Sequence, residues 1–211
     1  MKSLKIKFGY SWGAEMETTI YMVRHAESPF IFGQEKARGL SEEGLADSRK
    51  IADIFEDIEI SCIVSSSYRR AIQTVQYLAD KKGLSIIEFE ELRERLIKGL
   101  DYKAPWEELL GAIEKSFIDI DFFLEGGESI RKAQQRAIPI IEKLLCGYKG
   151  KNIVIGTHGN IMTIIMNYYN KGYGFDFWKS TSKPDIYKMT FESNELMNIE
   201  RLWNPSYSGG Q

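Results

Sequence analysis

Residues 19–28 read Thr19-Ile20-Tyr21-Met22-Val23-Arg24-His25-Ala26-Glu27-Ser28, and residues 153–160 read Ile153-Val154-Ile155-Gly156-Thr157-His158-Gly159-Asn160. Each is a short apolar, β-branched run that ends in a histidine, a small residue and a polar turn. The chain has only 2 histidines, and both stand in this position. In an open α/β sheet, ligands bind in the crevice outside the carboxyl ends of the strands, so both imidazoles face one cleft if the two strands are neighbours. A lone histidine is more often a hydrogen-bonded structural residue. Two in matching places shift the balance toward a shared site.

Outward from these two runs, apolar β-rich segments alternate with amphipathic helical ones. The pattern predicts strands over 19–24, 60–65, 85–89, 152–157, 186–191 and 196–203. The last two flank a Ser-Asn turn signal at 192–195 and read as an antiparallel edge hairpin. Helices are expected over 42–55 behind Ser41 as N-cap, 68–81 behind Ser67 as N-cap, 105–117, 129–145 and 161–169. Pro139 predicts a kink or break in the fourth of these. The first 12 residues alternate Leu4, Ile6, Phe8, Tyr10 and Trp12 on one face, which fits either an extra edge strand or a leader before Met16. Residues 91–127 have weaker periodicity and read as a cap insertion that sets substrate choice. The expected architecture is one α/β domain over 1–211, a three-layer sandwich whose mostly parallel central sheet is flanked by helices.

Bulk composition removes several classes of function. At 211 residues, 43% hydrophobic and 12% aromatic, the chain can bury a core and is too apolar for a disordered protein. Its 28 basic and 30 acidic side chains give a net charge of −2, so no overall field draws it to nucleic acid or anionic lipid. No apolar run approaches the ~18 residues a membrane span needs, and the Lys-containing start lacks a signal-peptide core. Cys62 and Cys146 are too few for a disulfide framework, which points to the cytoplasm. Histidines and cysteines are too sparse for a zinc cluster, nucleotide-binding glycine loops are absent, and neither a metal nor a cofactor is implied. Cys62 and Arg69 resemble a thiolate phosphatase loop only superficially: the spacing is one residue too long, and Cys62 lies inside an apolar strand. Asp119-Ile120-Asp121 reads as a partly solvated loop.

Arginines accumulate at the same strand ends. Arg24 precedes His25, and Arg69 and Arg70 follow Ser65-Ser66-Ser67 at a helix start, where guanidinium and free backbone amides together suit phosphate oxygens. Arg69 and Arg70 point to different helical faces, so one at most enters the cleft. The combined motifs resemble the histidine phosphatase superfamily, also called phosphoglycerate mutase-like, and its broad-specificity phosphatase branch. Val23-Arg24-His25-Ala26-Glu27-Ser28 is similar to the family's Arg-His-Gly-Glu-Ser/Thr signature. Ser65 to Thr74 resembles its Ser, Arg-Ala and Thr block. Leu40-Ser41-Glu42-Glu43-Gly44, Gly126-Gly127-Glu128-Ser129 and Thr157-His158-Gly159 match three further motifs in order.

The resemblance implies a phosphatase that hydrolyses phosphate monoesters through a phosphohistidine on His25. Arg24, Arg70 and His158 would hold the transferring phosphoryl oxygens, so that charge neutralisation needs no metal. Glu94, in Glu91-Leu92-Arg93-Glu94-Arg95, resembles the family's general acid, with Glu91 and Glu90 as alternatives. Ser28 and Arg95 are expected substrate contacts. The implied partner is a small phosphorylated metabolite, with a homodimer left open. Ala26 replaces the usual glycine, as in the branch acting on phosphohistidine proteins, and Pro29-Phe30 stands where mutases carry aromatic-Asn. These departures, a short cap and a small terminal segment at 204–211 favour hydrolysis over one alternative, a phosphoglycerate mutase-type phosphomutase, and the retention of His25, Arg70 and His158 weighs against the other, a non-catalytic phospholigand-binding protein.

Overall fold

The computed structural model of the chain describes residues 16–99 and 104–204. The alternation at the amino end lies outside them. Six strands form one sheet in the order β3-β2-β4-β1-β5-β6. β1 (Thr18–Arg24), β2 (Cys62–Ser66), β3 (Ile86–Phe89) and β4 (Asn152–Thr157) run parallel; β5 (Asp185–Glu192) and β6 (Glu195–Arg201) form the antiparallel edge hairpin. The sheet is thus mixed and mostly parallel, as its alternation with helices requires.

Side-chain alternation along the strands divides the core between the two faces. Tyr21, Val23, Ile63, Val154 and Ile186 pack against Ile51 of α1 (Glu42–Ile54), Phe55 just past its end, and Val75 and Leu78 of α2 (Arg69–Lys82). Ile20, Met22, Val64, Ile153 and Ile155 pack on the other face against α4 (Ile130–Gly147) and α5 (Gly159–Tyr169). Helices therefore cover the central strands on both sides, giving the three layers. α3 (Trp106–Ile118) lies in the segment between β3 and α4, and α6 (Phe175–Ser180) leads into β5.

Local signals account for most helix starts. Ser41 caps α1 by accepting from Gly44 N at 3.1 Å, and Ser129 caps α4 by accepting from Lys132 N at 3.2 Å. The expected cap of α2 is different: Tyr68 occupies the position, and the Ser67 hydroxyl bonds Glu90 instead. α4 runs through Pro139 without a break. An internal proline costs about 3 kcal/mol, but Ile138, Ile141, Leu144 and Leu145 are all buried on this helix, at about 2 kcal/mol each. Packing outweighs the missing hydrogen bond. α6 and a short 3-10 turn at Glu90–Leu92 had no sequence signal.

Candidate active site

Register places the two histidines side by side. β1 pairs with β4 so that Arg24 lies opposite Thr157, and His25 N donates to Thr157 O at 2.9 Å. The imidazoles that follow meet edge to face, with ring centroids 5.3 Å apart. Both residues are buried, at 4% and 0% exposure.

The protonation form of His25 follows from its neighbour. Its Nδ1 lies 2.7 Å from Ala26 O. A carbonyl only accepts, so Nδ1 carries the proton and the neutral ring keeps its lone pair on Nε2. Burial, and then the positive charges of Arg70, Arg24 and Lys183, hold the His25 pKa well below 6.5 despite the opposing Ala26 bond. The ring is neutral at physiological pH. Ala26 is itself fixed, since its N donates to Thr74 Oγ1 at 3.0 Å and Thr74 Oγ1 donates to Arg70 O at 2.7 Å. The Arg70 and Thr74 motif thereby braces the loop that orients His25.

His158 is arranged similarly. Its Nε2 lies 2.8 Å from Ser66 Oγ, which accepts from Tyr68 N at 3.2 Å and so has its own proton available for the imidazole. The other ring nitrogen, Nδ1, is buried and has no partner in the protein. Burial, followed by Arg70 and His25, also lowers the His158 pKa well below 6.5.

Arg24 and Arg70 supply the charge. Arg24 Nη1 donates to Thr181 O at 3.1 Å and to Thr181 Oγ1, anchoring the guanidinium to the loop before β5. A Cβ on Gly159 would stand 2.7 Å from Arg24 Cζ, so the guanidinium lies against the start of α5 only because residue 159 lacks a side chain. Gly44 plays a similar part at α1, where a Cβ would meet Glu27 O at 2.2 Å. Arg70 is 1% exposed, donates to Glu35 O, and has Nη2 3.5 Å from Glu35 Oε2, whereas Arg69 points to solvent. Burial lowers the Arg70 pKa to about 10, which leaves it charged at neutral pH. The Nε atoms of both Arg24 and Arg70 are buried without a partner.

Glu94 sits at the start of α5. Its Oε1 accepts from Ile161 N at 2.9 Å and from Arg95 N at 2.9 Å, and its Oε2 accepts from Asn160 N at 3.1 Å. It acts electrostatically on Arg24 and Arg70 together. Glu90 faces outward to Ser67 and Lys36, and Glu91 is exposed. Of these three carboxylates, Glu94 is therefore the one that acts on both arginines.

Ser28 and Arg95, expected to touch substrate, are engaged within the protein. The Ser28 hydroxyl donates to Gly39 O at 2.7 Å and accepts from Arg38 Nη1 at 2.7 Å. Arg95 is 3% exposed, and its three guanidinium nitrogens donate to Asn160 Oδ1, Glu128 O and Ser116 Oγ. Conversely, the sequence reading missed two cations. Arg38, which bonds Glu35 and Ser28, acts on both Arg70 and His158. Lys183, in the loop before β5, keeps part of its surface exposed, and partial desolvation followed by the charges of Arg24 and Arg38 lowers its pKa. Arg38 stood just before the recognised helix start, where its proximity to His25 offered a signal; Lys183 lies in a loop with no local pattern.

Among the described residues no cluster of three or more His, Cys, Asp or Glu side chains could hold a metal ion, and no helix is long and apolar enough to cross a membrane. Cys62 is buried within β2.

Known proteins resemble this chain in sequence and in fold. The Arabidopsis thaliana protein named phosphoglycerate mutase-like protein 4 is 27% identical over 198 residues, covering 88% of this chain and 80% of its own. A metal-independent phosphoserine phosphatase, also from Arabidopsis thaliana, is 27% identical over 174 residues, covering 74% of this chain and 72% of its own. The solved complex of a mycobacterial glucosyl-3-phosphoglycerate phosphatase with inorganic phosphate shares the fold, with a TM-score of 0.72 at 22% identity over 91% of this chain and 99% of that one. The family model for the histidine phosphatase superfamily (branch 1) matches residues 20–200, from within β1 to within β6. Because that match reaches all six strands and both histidine strand ends, the chain belongs to the histidine phosphatase superfamily, branch 1.

Proposed function

We propose that the enzyme hydrolyses small phosphate monoesters in two displacements through His25. The observation that carries this reading is the set of unspent polar atoms around His25: the Arg24 Nε and Arg70 Nε donors and the His158 Nδ1 nitrogen are buried and bond nothing in the protein. Such donors cost free energy unless an anion takes them, and a phosphoryl group offers three equatorial oxygens. In the first step the His25 Nε2 lone pair attacks phosphorus, the ester P–O bond breaks, and the leaving oxygen takes a proton from the Glu94 carboxyl. Water then attacks phosphorus, the P–N bond breaks, and Glu94 recovers the proton.

The segment between β3 and α4 caps the cleft and selects the substrate. The two unpaired cysteines fit a reducing, cytoplasmic compartment. Relatives bear both phosphatase and mutase names, but exposed Pro29 and Phe30 replace the aromatic-Asn pair of mutases, favouring water as phosphoryl acceptor. The test is turnover of a panel of phosphorylated metabolites. His25→Ala abolishes it, while Cys62→Ser and added chelator leave it nearly unchanged. With 3-phosphoglycerate and a trace of 2,3-bisphosphoglycerate, inorganic phosphate is the main product; rapid formation of 2-phosphoglycerate would favour the mutase reading.

A further inference from the structure

We infer that Arg95 is a positioning residue that fixes the Glu94 carboxyl at the start of α5 and ties it to the cap helix α3, so that seating of the cap sets how well the proton donor works. The inference rests on the reading of Glu94 as that donor.

Arg95 joins three elements and the acid at once. Nε donates to Asn160 Oδ1 on α5 at 2.7 Å, Nη2 to Ser116 Oγ on α3 at 3.0 Å, and Nη1 to Glu128 O in the turn before α4 at 3.3 Å. Its backbone N donates to Glu94 Oε1 at 2.9 Å, while Asn160 N donates to Glu94 Oε2 at 3.1 Å. Glu94, Asn160 and Arg95 therefore close a ring of hydrogen bonds in which the guanidinium holds Asn160 from one side and the carboxylate holds it from the other. On α3, Ser116 Oγ donates to Ile113 O at 2.6 Å, which directs its lone pairs toward Arg95. Movement of α3 pulls on the same guanidinium that sets the position of Asn160.

A stability role alone explains these bonds poorly. Arg95 is 3% exposed, yet its side-chain partners are an amide oxygen, a hydroxyl and a backbone carbonyl, with no ion pair to a carboxylate among the described residues. The nearby Glu94 and Glu128 carboxylates offset its burial only in part, and its pKa is lowered to about 10; a buried cation whose hydrogen bonds all go to neutral acceptors recovers little of its desolvation cost, and an apolar side chain of similar volume would stabilise the site better. The guanidinium instead provides direction: three donors in a rigid plane fix the relative placement of α3, α5 and the turn.

The experiment compares kcat for an alkyl ester, glycerol phosphate, with kcat for p-nitrophenyl phosphate, whose leaving group needs little protonation. Glu94→Gln is the reference, since a general acid contributes roughly 100-fold or more on the poor leaving group. Arg95→Met is expected to lower kcat on glycerol phosphate by about 30-fold but on the aryl ester by less than about 3-fold, and Glu94→Gln/Arg95→Met to be no slower than Glu94→Gln alone. Ser116→Ala, which removes one bond and keeps the fold if Arg95→Met does not, shows the same selectivity at about 3-fold. Equal losses on both esters in Arg95→Met and Ser116→Ala, or losses that multiply in the double variant, would overturn the inference while Glu94→Gln stays selective. If Glu94→Gln itself loses equally on both, the reading of Glu94 falls, and this inference with it.

Discussion

His25 gains its reactive form from one carbonyl and its neutrality from burial beside arginines. With 2 histidines in the chain, nitrogen-detected NMR of the unliganded protein reads each ring without ambiguity. At pH 7 both are expected neutral, His25 with its proton on Nδ1, and neither midpoint reaches 6.5, since burial and nearby cations lower both pKa values. A proton on His25 Nε2 would contradict the mechanism. Gly159→Ala tests the arginine: its Cβ would meet the Arg24 guanidinium at 2.7 Å, and a misplaced positioning group of this kind lowers kcat/KM by about 100-fold. The melting temperature should change little, because the displaced group is the end of a side chain. At this scale the sequence was legible where residues follow strand ends, as His25, His158 and Arg24 do. It did not show the bonds of Ser28 and Arg95 within the protein, which go to Gly39, Ser116 and Asn160, partners distant along the chain or set by tertiary packing.

Strand-to-helix turns position the chemistry, and a loop anchored beyond the cleft supports it. Asp185, opposite Arg24 in the β1 and β5 register, is fully buried and accepts from Ser182 N at 2.9 Å, Tyr187 Oη at 3.0 Å and Arg201 Nη2 at 2.8 Å. It holds the loop whose Thr181 anchors Arg24. Arg201→Met leaves the buried carboxylate without its cation and is expected to cost about 3 kcal/mol in denaturant unfolding, the low end for a broken buried pair because Arg201 is partly exposed. A change below about 1 kcal/mol would show that the remaining donors suffice. The sequence showed the hairpin through its turn residues, but nothing local showed that Asp185 and Arg201 pair across it. Likewise, the start of α5 came two residues earlier than its periodicity indicated, at Gly159, because Glu94 caps it from a distant segment.

At the scale of the whole molecule, apolar alternation on β1, β2 and β4 was enough to indicate the layered sheet, since hydrophobic period depends on the residues themselves. α6 lacked that signal because none of its six residues is fully buried. Gathering neutral histidines among cations also affects folding. Both histidine pKa values are lowered in the folded state, so below about pH 6.5 the unfolded chain takes up protons that the folded one does not. Stability is therefore full above that pH and falls as the pH drops from about 6.5 to 5, by up to about 1.4 kcal/mol per pH unit for each histidine. His25→Gln should halve that slope in urea unfolding, and an unchanged stability across this range would contradict the burial argument. The central claim is that His25 carries the phosphoryl group, and a millisecond quench of turnover into alkaline denaturant, followed by peptide mass mapping, tests it directly. The account predicts one phosphoryl group on the peptide containing His25, bonded at Nε2 and absent from His25→Ala. A phosphoryl group on any other residue, or His25→Ala turning over at the wild-type rate without one, would contradict it.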